Sequence, residues 1–117
     1  MFEFLKRWFG SRPETVEFDD ERVTRTMRNG ETESIRWDEL REIQIVTTNE
    51  GPWVDDVFWL LLGDGVGCAV PSETVGMQRL LERLSALPGF DARAVIEAMG
   101  CTDNNRFQIW TRTEVAC

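Results

Sequence analysis

The spacing of apolar residues along this chain changes period several times, and each change predicts an element. Phe2, Leu5, Trp8 and Phe9 recur at helical spacing beside Lys6 and Arg7. They predict a short amphipathic helix over residues 1–12, ended by Gly10 and Pro13. Such a helix is marginal in water by itself and must dock on something. From Thr15 the period becomes two. Val16 and Phe18 alternate, Asp19-Asp20-Glu21 makes a turn, and Val23, Arg25 and Met27 continue with threonines between them. Asn29-Gly30 predicts a type I′ hairpin turn, with the returning strand over 32–35.

Trp37-Asp38-Glu39-Leu40 suits a helical turn or bend, and Ile43, Ile45 and Thr47 a strand. Residues 48–56 form a loop around Gly51-Pro52-Trp53. Residues 57–62 are apolar at every position, with Phe58, Leu60 and Leu62 facing one way and Val57, Trp59 and Leu61 the other. An antiparallel sheet usually turns one face to water, so this strand asks for cover on both. The N-terminal helix could lie on Val57, Trp59 and Leu61; a partner or a second copy, making a homodimer, would serve as well.

Gly63-Asp64-Gly65 turns the chain into a strand over 66–70, which Pro71 ends. It is not a phosphate loop, because a strand follows it and no Gly-Lys-Ser/Thr does. Ser72 or Thr74 is expected to cap a helix whose stripe is Met77, Leu80, Leu81, Leu84 and Leu87. Gly76 should weaken its first turn by roughly 1 kcal/mol relative to alanine. Pro88-Gly89 ends it. Asp91 caps a second helix with Val95, Ile96 and Met99 inward, and Gly100 fits its C′ position. Residues 107–111 form a last strand or an extended tail.

Short antiparallel strands followed by an amphipathic helix are the order of a pleckstrin-homology-like (PH-like) domain. The run Ser34-Ile35-Arg36-Trp37-Asp38-Glu39-Leu40-Arg41-Glu42-Ile43 resembles a stretch common in uncharacterised bacterial PH-like proteins. Leu87-Pro88-Gly89-Phe90-Asp91 and Asn105-Arg106-Phe107-Gln108-Ile109-Trp110 look like the closing segments of some bacterial proteins. The resemblance covers roughly residues 15–87 and implies an α+β fold. That fold is an antiparallel β-barrel or sandwich of about six to seven strands, capped by the C-terminal amphipathic helix and preceded by the short N-terminal one. Residues 13–117 would form the single PH-like domain. Lipid-binding members carry Lys and Arg in the first hairpin loop. This chain has Asp19-Asp20-Glu21 and Asn29-Gly30-Glu31 instead, which argues against phosphoinositides.

Charge and composition narrow the chemistry. The net charge is −8, which speaks against nucleic acid, since phosphates need a cationic field. It suits solubility or a basic protein partner. Residues 13–50 hold 11 acids and 5 arginines, whereas the first 12 residues carry a net +2. No histidine occurs, which removes the usual general base and commonest metal ligand. The three cysteines, Cys68, Cys101 and Cys117, form no C-x-x-C pair, and an odd count suits a reducing, cytoplasmic setting. Asp55-Asp56 with Glu50 could hold a cation but lacks calcium-loop spacing, and adjacent residues on an extended strand diverge. Asp38, Glu39 and Glu42 offer acid–base groups with nothing to place one in an apolar pocket.

The expectation is therefore a non-catalytic protein-binding module without cofactor or metal, of inhibitor, immunity or scaffold type. Its contact residues would be Trp53, Asp55, Asp56, Trp59 and Trp8, tryptophan being favoured in interface hot spots. The alternative is a peripheral membrane protein held by the aromatic, Lys6- and Arg7-flanked N-terminal helix.

Overall fold

Alternation of apolar and polar residues between tight turns is realised as seven strands and two helices in the computed structural model, which describes residues 14–49 and 57–113. The N-terminal helix expected over 1–12, the loop tip with Trp53, Asp55 and Asp56, and Cys117 lie outside those residues. Strands β1 (Thr15–Phe18), β2 (Arg22–Thr26) and β3 (Thr32–Arg36) form one antiparallel sheet in that order. Strands β4 (Glu42–Thr47), β5 (Val57–Leu62), β6 (Gly67–Pro71) and β7 (Asn105–Thr111) form a second, ordered β6-β5-β4-β7. Helices α1 (Met77–Leu84) and α2 (Ala92–Met99) separate β6 from β7. Among the described residues no ladder joins the two sheets, so the barrel alternative does not form.

The turns follow local chemistry. The Asp19 carboxylate accepts from the backbone N–H groups of Glu21 (2.8 Å) and Arg22 (2.9 Å), closing the β1–β2 turn. At the β2–β3 hairpin only Gly30 has positive φ, at 93°. Gly30 N–H donates to the Met27 carbonyl and Met27 N–H to that of Glu31, so the loop has three residues. This is the turn-plus-bulge connection, not the expected type I′ turn, which would put Asn29 at positive φ as well.

One continuous core joins the sheets. Val16, Val23 and Ile35 from the first meet Ile43, Ile45, Trp59, Leu61, Cys68 and Val70 from the second. Leu40, from the turn after β3, Met77, Leu80 and Leu84 of α1, and Ala98 of α2 complete it with Ile109 and Trp110. In an ordinary strand Ile109 and Trp110 would face opposite ways. A register shift against β4 between Ile43 and Gln44 sets both inward, and Trp110 Nε1 donates to the Pro88 carbonyl at 2.8 Å. Residues 107–111 are thus a paired strand, not a free tail.

The helices depart from the sequence reading in three ways. Neither Ser72 nor Thr74 caps α1; its N-cap is Gly76, at φ 97°. The cause is pairing of Thr15 with Val75: residues 72–74 are spent in a turn closed by Thr74 N–H to the Pro71 carbonyl, residue 75 is held against β1, and the helix starts only after it. In α2 the Asp91 carboxylate does accept from Ala94 N–H, at 3.0 Å. The helix is rotated from the expected stripe: Ala98 is buried, Val95 is half-buried, and Ile96 and Met99 face solvent. Small Ala98 lets the helix sit close to β4 and β7. Gly100, expected as a left-handed terminator, has a right-handed φ of −93°.

Candidate interaction surface

The register fixes which residues each face of the four-stranded sheet presents. Ile43, Ile45 and Thr47 of β4, Trp59 and Leu61 of β5, and Cys68 and Val70 of β6 point into the core. Trp59, at 1% exposure, is therefore a core side chain and not a contact residue. The reading that Val57, Trp59 and Leu61 await a cover is corrected in the same way, since the first sheet and the helices already fill that side. The face left over is the other one. Phe58 sits opposite Val46 and Pro71, Leu60 opposite Gln44 and Ala69, and Leu62 opposite Glu42 and Gly67. Val46, Phe58, Leu60, Leu62 and Ala69 are all half-buried.

This outer face has an apolar half and a polar half. On the β4–β7 side, Arg106 donates to Gln44 Oε1 at 2.8 Å. Gln44 Nε2 donates to Glu42 (2.8 Å) and to Gln108 (3.1 Å), which in turn donates to the Trp110 carbonyl and the Thr111 hydroxyl. This ladder places polar groups across β4 and β7 beside the leucine row of β5. Val46 and Phe58 lie at the end from which the Trp53 loop leaves the sheet, with Thr47 and Val57 its last paired residues.

The acidic turns are brought together but are not a bare acidic patch. Trp37 N–H donates to the Glu21 carbonyl (2.9 Å) and Trp37 Nε1 to that of Asp19 (2.7 Å), joining the Asp19-Asp20-Glu21 turn to Asp38-Glu39. Arginines answer them: Arg22 pairs with Glu21 at 3.3 Å and Arg36 with Asp38 at 3.2 Å. Arg83 stacks over Trp37, and Arg112 donates to the Trp37 and Leu40 carbonyls. The N–H groups of Arg22 and then Glu21 hold the Asp19 carboxyl below its ordinary range, and the Arg36 hydrogen bond does the same for Asp38. Neither carboxyl is poised as a proton donor at neutral pH.

A second charge cluster binds the sheets together. Arg25 reaches Glu14 at 2.7 Å and Glu33 at 3.2 Å, and Glu33 also accepts from Ala69 N–H of β6 at 3.3 Å. Burial would lower the Arg25 pKa, but hydrogen bonds and charge from Glu14 and then Glu33 outweigh it and raise it. Glu33 thereby occupies a donor on the edge strand of the second sheet.

Burial, with the nearby Glu33 charge, pushes the Cys68 thiol up to about 11. Cys101 lies beside Thr47, whose hydroxyl donates to the Asp103 carbonyl at 2.6 Å. Among the described residues no three metal-capable side chains come together, and no helix is long and apolar enough to cross a membrane. The sequence reading sets Phe58, Leu60 and Leu62 on one face of β5 but, the strand being apolar on both faces, seeks the cover on the other; only the register shows which face the core takes. The chain matches no family model, no curated protein and no solved structure.

Proposed function

We propose that this chain is a non-catalytic protein-binding module of the cytoplasm, with a PH-like sandwich as its scaffold and the outer face of the four-stranded sheet as its contact surface. The apolar row Val46, Phe58, Leu60, Leu62 and Ala69 carries the reading. An antiparallel sheet whose inner face is filled usually presents polar residues outward. Here the outer face is apolar across three strands and polar at one side, the arrangement of an interface core with its rim. The Trp53, Asp55 and Asp56 loop springs from the same end and would add an aromatic anchor and negative charge. The remaining acidity of the chain favours a basic partner and a salt-sensitive encounter.

The test is a paired pull-down from host lysate with the wild-type chain and the Leu60→Glu variant as baits, at low and high salt. A protein captured near stoichiometry by wild type at low salt, released at high salt and lost with Leu60→Glu supports the surface. Equal capture by both baits, with circular dichroism showing the variant folded, removes it.

A further inference from the structure

We infer that the outer face of the four-stranded sheet closes on a second copy of this chain, forming a two-fold dimer from which a protein partner must displace one copy. The inference rests on that face being the contact surface and names its first occupant. Three observations favour a second copy.

The first is the symmetry of the apolar row. Phe58, Leu60 and Leu62 share one face of β5, and beside Leu60 stand Ala69 on β6 and Gln44 on β4. A two-fold axis in the plane of the interface, running across the strands at Leu60, sets each strand antiparallel over its own copy. Leu60 then meets its own counterpart, and Phe58 meets Leu62 of the second copy. The apolar half covers the apolar half, and the polar β4–β7 side meets its own equivalent.

The second is the charge at the two ends. Glu42 stands opposite Leu62 at one end of the face, and Arg106 opposite Val46 at the other. Gln44 lies between them, donating to Glu42 at 2.8 Å and accepting from Arg106 at 2.8 Å. Neither Glu42 nor Arg106 has an ion-pair partner among the described residues. The axis across the strands reverses the ends. Glu42 of each copy then lies over Val46 of the other, one strand from that copy's Arg106. Sheets packed face to face stand about 10 Å apart, a gap that a glutamate and an arginine side chain span together. One ion pair closes each end around a dry apolar centre. An axis along the strands would bring like ends together and pair no charge.

The third is area. The face has four strands, six residues long in β4 and β5. At strand and residue spacings of about 4.8 and 3.4 Å it measures about 400 Å² in plan. Upright side chains raise its accessible area above that figure, towards but not beyond the roughly 800 Å² per partner of a standard interface. Two chains of net −8 also repel one another. Both terms point to a reversible dimer of micromolar affinity, which a partner can displace.

The experiment is sedimentation equilibrium of the full chain from micromolar to near-millimolar concentration, with circular dichroism to show each variant folded. Wild type should pass from monomer to dimer, and Leu60→Glu, Glu42→Arg and Arg106→Glu should each stay monomeric. Net charge argues the opposite for Glu42→Arg, which makes the chain less negative, so its loss of the dimer isolates the local pair. An equimolar mixture of the Glu42→Arg and Arg106→Glu chains should regain the dimer, because one presents two positive ends and the other two negative ends. A monomeric wild type overturns the inference. So does a dimer that survives Leu60→Glu, or a mixture of the two charge variants that stays monomeric. The two readings fail separately. If wild type is monomeric but Leu60→Glu abolishes capture from lysate, the surface stands and the second copy falls. If the mixture restores the dimer but Leu60→Glu captures as wild type does, the dimer stands and the partner surface falls.

Discussion

Replacing Gly76 by alanine separates helix propensity from tertiary constraint, because the two predict opposite signs. Propensity alone says that Gly76→Ala should strengthen α1 by about 1 kcal/mol. The structure says otherwise. Gly76 has φ 97°, and a Cβ there would fall against the Val16 carbonyl oxygen, well inside 3.0 Å. A left-handed alanine costs about 1–2 kcal/mol before any contact is considered. Relief of the contact requires β1 to move away from residue 75, and two hydrogen bonds hold it there, Val16 N–H to Val75 O and Val75 N–H to Glu14 O. At about 0.5–1.5 kcal/mol each, their loss brings the total to about 2–5 kcal/mol. For a domain of this size that is a fall of about 8–20 °C in Tm. The comparison variant is Gly30→Ala, also at positive φ (93°) but with nothing within 4 Å of the new Cβ. Its loss should be confined to backbone strain, about 1–2 kcal/mol. Urea unfolding followed by tryptophan fluorescence, with calorimetry for Tm, measures both. A Gly76→Ala chain as stable as the parent, or no worse than Gly30→Ala, would refute the reasoning.

Other expected outcomes are more local. Arg25→Met should leave the Glu14 and Glu33 carboxylates without their shared cation and cost about 1–3 kcal/mol; adding Glu14→Gln should recover part of it in a double-mutant cycle read by chemical denaturation. Thr47→Val should cost about 1–2 kcal/mol, since the buried hydroxyl bonds to Asp103, with the change visible as faster amide exchange around residues 101–105. Cys68 should resist thiol reagents at pH 8 while Cys101, which is not fully buried, reacts. The raised Cys68 pKa also has a stability consequence. The unfolded thiol ionises near 9 and the folded one near 11, so stability held below pH 9 should fall as pH rises through that interval. The chain has no tyrosine and its only lysine is Lys6, so few other groups titrate there; the slope should shrink in Cys68→Ala.

Much of the fold was legible from period and punctuation. Alternation over 15–18 and 43–47, the continuous apolar run over 57–62, the Asn29-Gly30 and Gly63-Asp64-Gly65 turns and the leucine stripe of α1 each depend on a local rule. Backbone dihedrals and side-chain direction repeat within a few residues, so those elements could be placed without knowing their neighbours. The Asp91 cap was legible for the same reason, since its carboxylate serves an N–H three residues on.

What tertiary structure alone decided are relations between segments remote in sequence. β5 is apolar on both faces, so no pattern within it could say that Trp59 and Leu61 are core and that Leu60 and Leu62 lie outside; pairing with β4 and β6, and filling of one side by the first sheet, settled that. α2 carries apolar residues around more than one face, and the close seat available to Ala98 against β4 and β7 chose its rotation, leaving Ile96 outside. The bulge against β4 turned two adjacent residues, Ile109 and Trp110, inward together. Residue 75 pairs with residue 15, 60 positions away in the chain, and that pairing turned Gly76 from a weak helix residue into a required one. Local sequence sets what each segment can form; which face is buried is set by the competition among segments for one core, and that is a property of the whole chain.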